Sequence, residues 1–210
     1  MQRQYPMEVP ALVQAAKGLA GEVDFALRPE GNVLGQHHIG ASACIDEVGS
    51  LLRALVASLP NGRIGEVGTG AGVGTAWMAS ALGNGASLTS VELEPRLATA
   101  ARGLLAPLEN VEIITGDWLE VMPRRAPFDL LFFDGGGREA LRSDNWPMLG
   151  GLLVPGGMMV LDDLTPEELW PDNWWGKPDP KRELAFHSGL FTAAEVRLRT
   201  DTAVMLLARR

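Results

Sequence analysis

The sequence predicts an α/β fold: a mostly parallel sheet with helices on both faces. Three observations predict it. Short apolar runs near 63–67, 87–92, 111–114, 128–133 and 157–161 alternate with helix-forming stretches near 73–82, 95–106, 118–122 and 138–149. The first run leads into a glycine-rich turn, IGEVGTGAGVGT at 64–75. The first four runs each stop at an acidic residue or just before one. Strands that alternate with helices pair in parallel, because each crossover helix returns the chain to the same sheet edge.

The elements follow in order. Residues 8–26 carry Val9, Leu12, Val13, Ala16, Leu19 and Ala20 at helical spacing. Residues 27–40, with Pro29 and the pair His37–His38, read as a loop. Residues 41–59 are helical again, with Ile45, Val48, Leu51, Leu52, Leu55 and Val56 on one face, and PNG at 60–62 ends that helix. The α/β alternation then begins. TPEE at 165–168 reads as a capping box, with Thr165 at N-cap, Pro166 at N1 and Glu168 at N3. Asp179–Pro180 opens another helix, to about Leu190. The end, EVRLRTDTAVMLLAR, reads as two strands joined by a tight turn at 200–202.

The glycine turn carries the first chemical signal. Gly68, Gly70 and Gly72 follow Glu66 at alternate positions, and the next strand ends in Glu92. In a βαβ unit this brings a glycine turn, a helix N-terminus and a carboxylate to one sheet edge, where doubly wound folds bind nucleosides. Glycine lets a ligand approach the backbone, and Glu92 can accept from both ribose hydroxyls. GxGxxG and GxxxxGK[ST] are both absent, which argues against a dinucleotide or a P-loop phosphate. A nucleoside without pyrophosphate fits better, and S-adenosylmethionine is the leading candidate. The alternative is a structural turn beside a surface glutamate.

Three further stretches extend the pattern: VEIITGDW at 111–118, FDLLFFDG at 128–135 and LVPGGMMVLDD at 153–163. With ExGxGxG and SVELEP, the set resembles a class I S-adenosylmethionine-dependent methyltransferase over roughly residues 35–210. More narrowly it resembles the cation-dependent O-methyltransferases that include the catechol and caffeoyl-CoA enzymes. The resemblance implies a Rossmann-like seven-stranded sheet, mostly parallel, with an antiparallel strand in the C-terminal hairpin.

Carried over by position, the resemblance assigns cofactor contacts. Glu66, Gly68, Thr69, Gly70 and Gly72 would line the methionine end. Glu92, with Leu93 beside it, would hold the ribose. Gly116, Asp117 and Trp118 would meet the adenine, although Asp117 also reads as an N-cap and Trp118 as core. Where the family pattern shows serine, this chain has Gly74 and then Thr75.

Asp134 is the pivot of the implied chemistry, as both cofactor-side and catalytic residue. The resemblance makes it a ligand of a divalent cation such as Mg²⁺, with Asp162 and Asp163 completing the set. Oxygen ligands suit a hard cation. Two departures stand out. Asp163 replaces an asparagine or similar residue, and three carboxylates exceed the one or two that Mg²⁺ usually takes. The family's lysine base, three residues after the first aspartate, is Gly137 here, followed by Arg138, which cannot act as a base. His37 or His38 could supply that base; a surface pair is the commoner reading. WPDNWW at 170–175 could stack an aromatic acceptor, or plug a core or subunit contact.

Composition narrows the function classes. The chain has 210 residues and a formal net charge of −8, which disfavours nucleic acid and anionic membrane as partners. Its single cysteine, Cys44, excludes an internal disulfide and suits a reducing cytoplasm. No signal peptide and no bilayer-spanning run is expected. One methyltransferase domain over 1–210 is expected, with 1–60 as a helical cap, lid or dimerisation segment and 61–210 as the cofactor-binding core. The leading expectation is O-methylation of a small acceptor, aromatic or similar, by a homodimer. The competing ones are a tRNA-modifying methyltransferase of the same family and a catalytically degenerate cofactor-binding protein.

Overall fold

Seven strands form one sheet in the order β3-β2-β1-β4-β5-β7-β6. They are β1 (Arg63–Val67), β2 (Ser87–Glu92), β3 (Val111–Thr115), β4 (Phe128–Phe133), β5 (Leu153–Leu164), β6 (Phe191–Arg197) and β7 (Ala203–Arg209). The computed structural model describes residues 8–27, 44–135 and 141–210, without the side chains of 23–27. The first five strands pair in parallel. β7 runs antiparallel to both β5 and β6, so six strands share one direction and only β7 opposes them.

The chain leaves β1 toward β2 and β3, then returns to place β4 on the opposite side of β1. That reversal makes the carboxyl ends of β1 and β4 a topological switch point, beside the crevice where doubly wound sheets bind their ligands. β4 explains why its sequence is continuously apolar. Leu131 and Phe133 join one core with Trp118, Met122 and Met159, whereas Leu130 and Phe132 join the other with Ile64, Trp77 and Val160. A parallel strand buried on both faces needs apolar side chains at every position. Each such burial contributes about 1.5–3 kcal/mol.

Two helices precede the sheet, α1 (Ala11–Leu27) and α2 (Asp46–Ala57). Val13, Ala16 and Ala20 of α1, with Val48, Leu52 and Val56 of α2, enter the second core beside Trp77. The crossovers are α3 (Val73–Ala79), α4 (Pro95–Leu105), α5 (Trp118–Arg125) and, after a 3₁₀ turn at Ser143–Asn145, α6 (Trp146–Gly151). The last helix is α7 (Pro180–His187), where the Asp179 side chain accepts from the Lys181 N–H and Pro180 occupies the first turn. Among the described residues no helix is long and apolar enough to cross a membrane.

Three sequence expectations change. TPEE does not open an α-helix: Pro166 is extended at φ −53° and ψ 139°, and only the 3₁₀ turn Glu167–Leu169 follows. Glu168 is drawn away to Arg197, 2.6 Å distant, and Glu167 lies 3.6 Å from Arg182, so neither carboxylate completes a box. α5 continues past Met122, because Pro123 constrains the residue before it more than those after, and the Ala126 N–H still reaches the Met122 carbonyl. β5 begins at Leu153 rather than 157, since the Pro155–Gly156–Gly157 stretch is accommodated as a register shift within its pairing to β4. The beginning of the helix expected at 138–149 and the loop at 27–40 lie outside the described residues.

Candidate active site at the carboxyl edge of the sheet

The glycine turn after β1 is held from beneath and from one side. Beneath it, Glu66 is fully buried and accepts hydrogen bonds from the hydroxyls of Thr75 and Ser90. The Thr69 hydroxyl lies 2.5 Å from Ser90 Oγ and continues the network into the turn. Burial pushes the Glu66 carboxyl up to about 7, against the two hydroxyl bonds that hold it down. From the side, Glu92 accepts from the Gly70 N–H at 2.8 Å and from the Glu94 N–H at 2.9 Å. Leu93 is 71% exposed beside it.

Gly68 is required where it stands. Its φ is +94°, and a β-carbon there would lie 2.7 Å from the Asp134 carbonyl oxygen. The turn after β1 and the end of β4 therefore touch through backbone alone. Gly72, also at positive φ, ends the turn as the residue before α3. At Gly74 the constraint is a side chain: an added β-carbon would lie 2.7 Å from Glu66 Oε1 and 3.1 Å from the Phe132 ring. The hydroxyl that the sequence offers next door, on Thr75, points to Glu66 and not into the crevice.

After β3, Gly116 donates to the Glu92 carbonyl and links the two loops. Asp117 is exposed and caps α5, accepting from the Leu119 N–H at 2.9 Å. Trp118 is 8% exposed and meets Phe133 edge to face at 5.1 Å, so its ring is part of the core beneath the crevice.

The three aspartates converge. Ligand oxygens of Asp134, Asp162 and Asp163 all lie within 4.8 Å of one another. Consecutive residues in a strand normally point to opposite faces, so this needs a break in β5. The pairing of β5 with β7 shifts register between Leu161 and Leu164, and Asp163 adopts φ +59°. A left-handed residue at a bulge re-aims its side chain, and aspartate tolerates that region better than most residues. Desolvation, with Asp162, Asp163 and Glu66 nearby, holds the Asp134 carboxyl well above the usual range. Asp162 is likewise pushed up, mainly by burial, to about 6. The oxygen-only donor set of these three side chains fits a hard divalent cation.

Two residues at this edge carry no local signal in the sequence. Cys44 is buried at the start of α2; desolvation and then Asp162, Asp134 and Glu66 push its thiol up, which places it near the acidic cluster. Lys181, in the first turn of α7, donates to the carbonyl oxygens of Asp162 and, at 3.1 Å, of Asp163. Burial lowers its pKa while four carboxylates (Asp163, Asp162, Asp134 and Asp179) oppose that shift.

Beside Asp163 and Lys181 opens a cavity of about 430 Å³, walled by Trp170, Trp174, Leu141, Pro178 and Pro180. Trp170 is fixed there: its indole N–H donates to the Thr165 carbonyl, and the Arg182 guanidinium lies 5.2 Å from its ring centre. Arg182 is in turn bound to Glu195 and Asp179. Of the tryptophan cluster, Trp175 stays 54% exposed at the outside. His37, His38, Gly137 and Arg138 lie outside the described residues.

Known proteins resemble this arrangement. The family described as a methyltransferase domain matches residues 66–164. A protein of Mycobacteroides abscessus named as an O-methyltransferase is 33% identical over 164 residues, covering 73% of this chain and 72% of its own length. A Mycobacterium avium protein named in the same way is 34% identical over 131 residues, and the match spans 57% of that protein's length. A Bacillus cereus O-methyltransferase solved with S-adenosylhomocysteine superimposes with a TM-score of 0.72 at 21% identity, covering 97% of this chain and 93% of that one. An O-methyltransferase of tomaymycin synthesis from Streptomyces achromogenes, solved with S-adenosylmethionine, gives 0.69 at 24%, covering 97% and 92%. At these identities the two structures establish the fold.

Proposed function

This chain belongs to the S-adenosylmethionine-dependent O-methyltransferase family, and from that premise we propose that it transfers a methyl group from S-adenosylmethionine to a hydroxyl of a small aromatic acceptor. The observation that carries the reading is a juxtaposition at one sheet edge. The Glu92-braced glycine turn and the Asp134–Asp162–Asp163 cluster meet where Gly68 touches the Asp134 backbone.

The residues divide the work. Gly68, Thr69, Gly70 and Gly72 present backbone to the methionine end of the cofactor, with Glu66 bracing them from below. Glu92 takes the ribose hydroxyls, exchanging its bond to the Gly70 N–H. Gly116 and Asp117 border the adenine. Asp134, Asp162 and Asp163 would hold a divalent cation, which supplies a lowered pKa and a fixed position to the acceptor oxygen. The Trp170 and Trp174 walls orient an aromatic ring. In the transfer, the acceptor hydroxyl gives up its proton to solvent water, an oxygen lone pair forms the new O–CH₃ bond as the S–CH₃ bond breaks, and the sulfonium leaves as a neutral thioether. Because that displacement is in line, holding the oxygen on the far side of the methyl from sulfur supplies much of the rate. The single cysteine, free and buried, suits a reducing, cytoplasmic setting, and the proposed assembly is a homodimer with residues 1–60 as the cap or pairing segment of one 1–210 domain.

Calorimetric titration with S-adenosylhomocysteine, with and without Mg²⁺, tests the reading. Micromolar binding with a Mg²⁺-linked change in heat or affinity is expected. Absence of binding in both conditions overturns it in favour of a cofactor-free role.

A further inference from the structure

We propose that Lys181 is the residue that orients the acceptor hydroxyl in the Trp170–Trp174 cavity, donating its remaining ammonium hydrogen to the nucleophilic oxygen. An ammonium has three donors. Two are spent on the carbonyl oxygens of Asp162 and Asp163, and among the described residues the third has no partner. Those bonds go to backbone and take no carboxylate oxygen of either residue, although Asp162 Oδ1 accepts from the Asp163 N–H at 2.7 Å. Lys181 and Asp163 both line the cavity, and Asp163 belongs to the acidic cluster, so the ammonium stands where the cavity adjoins that cluster.

The anchoring decides the role. A free lysine has four rotatable bonds and a mobile charge. Here the Asp179 cap and Pro180 fix the start of α7, and two carbonyls fix the far end of the side chain. A donor held at both ends loses little further entropy when a ligand arrives, which is the condition for positional control. The position that follows Asp134 by three residues is glycine, so the lysine base that the resemblance implies is absent there, and Lys181 acts as a donor and not as its replacement. The cavity volume of about 430 Å³ lies within the range of small-molecule sites, and its lining sets aromatic and proline faces (Trp170, Trp174, Pro178, Pro180) beside polar groups, Asn173 and Lys177 among them. The class of acceptor that fits is a planar aromatic with at least one free hydroxyl, bound by ring stacking and recognised at the oxygen by Lys181. This inference rests on the methyltransferase reading above.

Quenching of tryptophan fluorescence reports occupancy of the cavity without turnover. Catechol and 1,2-dimethoxybenzene are the probes, measured on the full chain saturated with S-adenosylhomocysteine and Mg²⁺. The wild type should bind catechol at least tenfold more tightly than its dimethyl ether. Lys181→Met should reduce that preference to less than threefold while leaving S-adenosylhomocysteine affinity within threefold of wild type. Lys181→Arg should restore part of the preference, which a merely structural role would not do. A preference in Lys181→Met equal to wild type overturns the assignment of Lys181 alone. No catechol quench in the wild type overturns the cavity as acceptor site. No S-adenosylhomocysteine binding in the wild type overturns the methyltransferase reading on which both depend.

Discussion

Glu66 and Gly74 are matched to each other. Among the described residues Glu66 Oε1 is buried without a hydrogen-bond partner, and a β-carbon on Gly74 would lie 2.7 Å from it. The glycine leaves room for a carboxyl whose other oxygen ties Thr75 of α3 and Ser90 of β2 together under the cofactor turn. Gly74→Ala should therefore destabilise the protein by about 1–3 kcal/mol through overpacking. Urea denaturation of the two forms measures it, and an unchanged midpoint would show that the site can relax.

The same carboxyl makes stability fall with rising pH. Its folded pKa of about 7 lies above the ordinary glutamate value of 4.5, so the folded state holds the proton more tightly than the unfolded one. The resulting stabilisation is complete below about pH 4.5 and is lost as pH rises through about 7, amounting to about 3 kcal/mol. Glu66→Gln removes this titration, so its stability should be flatter than wild type between those limits. Parallel slopes in denaturation series from pH 4.5 to 7.5 would contradict the assignment.

Glu92→Ala should weaken S-adenosylhomocysteine binding at least tenfold. The carboxylate both braces the Gly70 N–H and is the acceptor offered to the ribose, and charge-assisted bonds of this kind contribute about 1.5–3 kcal/mol each. Calorimetry on the variant checks it. Unchanged affinity would remove Glu92 from the ribose site.

A divalent cation should raise the melting temperature by several degrees, because it offsets the desolvation and mutual repulsion that disfavour the charged carboxylates of Asp134 and Asp162. The rise should be abolished in Asp134→Asn and Asp162→Asn. Thermal unfolding in 5 mM Mg²⁺ or Mn²⁺ (roughly saturating for a weak site) distinguishes this from general salt screening, for which NaCl of equal ionic strength is the control.

Arg182→Met should cost about 3 kcal/mol and loosen the acceptor cavity. The guanidinium is almost wholly buried, binds Asp179 and Glu195, and backs the Trp170 ring. Removing it leaves two partly buried carboxylates without their cation. Chemical denaturation gives the stability, and a changed Trp emission maximum reports the cavity. A wild-type midpoint would show that the ion pairs are replaceable by water.

Much of this protein was legible in one dimension. Strands β1, β2 and β4 fall at their expected residues because each is an apolar run bounded by a turn signal, and burial on both faces removes the ambiguity of alternation. The glycine turn, Glu92 and the two acidic strand ends were legible for the same reason: parallel topology sends every strand end to one edge, so position in the chain fixes position in the site. Local chemistry also set the α7 cap at Asp179.

Other features depended on contacts distant in sequence. TPEE matches a capping pattern, yet Arg197 and Arg182 compete for its carboxylates from β6 and α7, and the helix does not form. Glu66 reads as a cofactor contact, but only packing shows it wholly enclosed beneath the turn. Asp162 and Asp163 would diverge in a regular strand; the bulge against β7 and the positive φ at Asp163 bring both to Asp134. Lys181 reaches the site because α7 packs back over the end of β5, 18 residues away along the chain. Sequence determined which groups arrive at the carboxyl edge. Tertiary structure decided which of them face one another, because a strand bulge and a returning helix set side-chain direction in ways that no local pattern encodes.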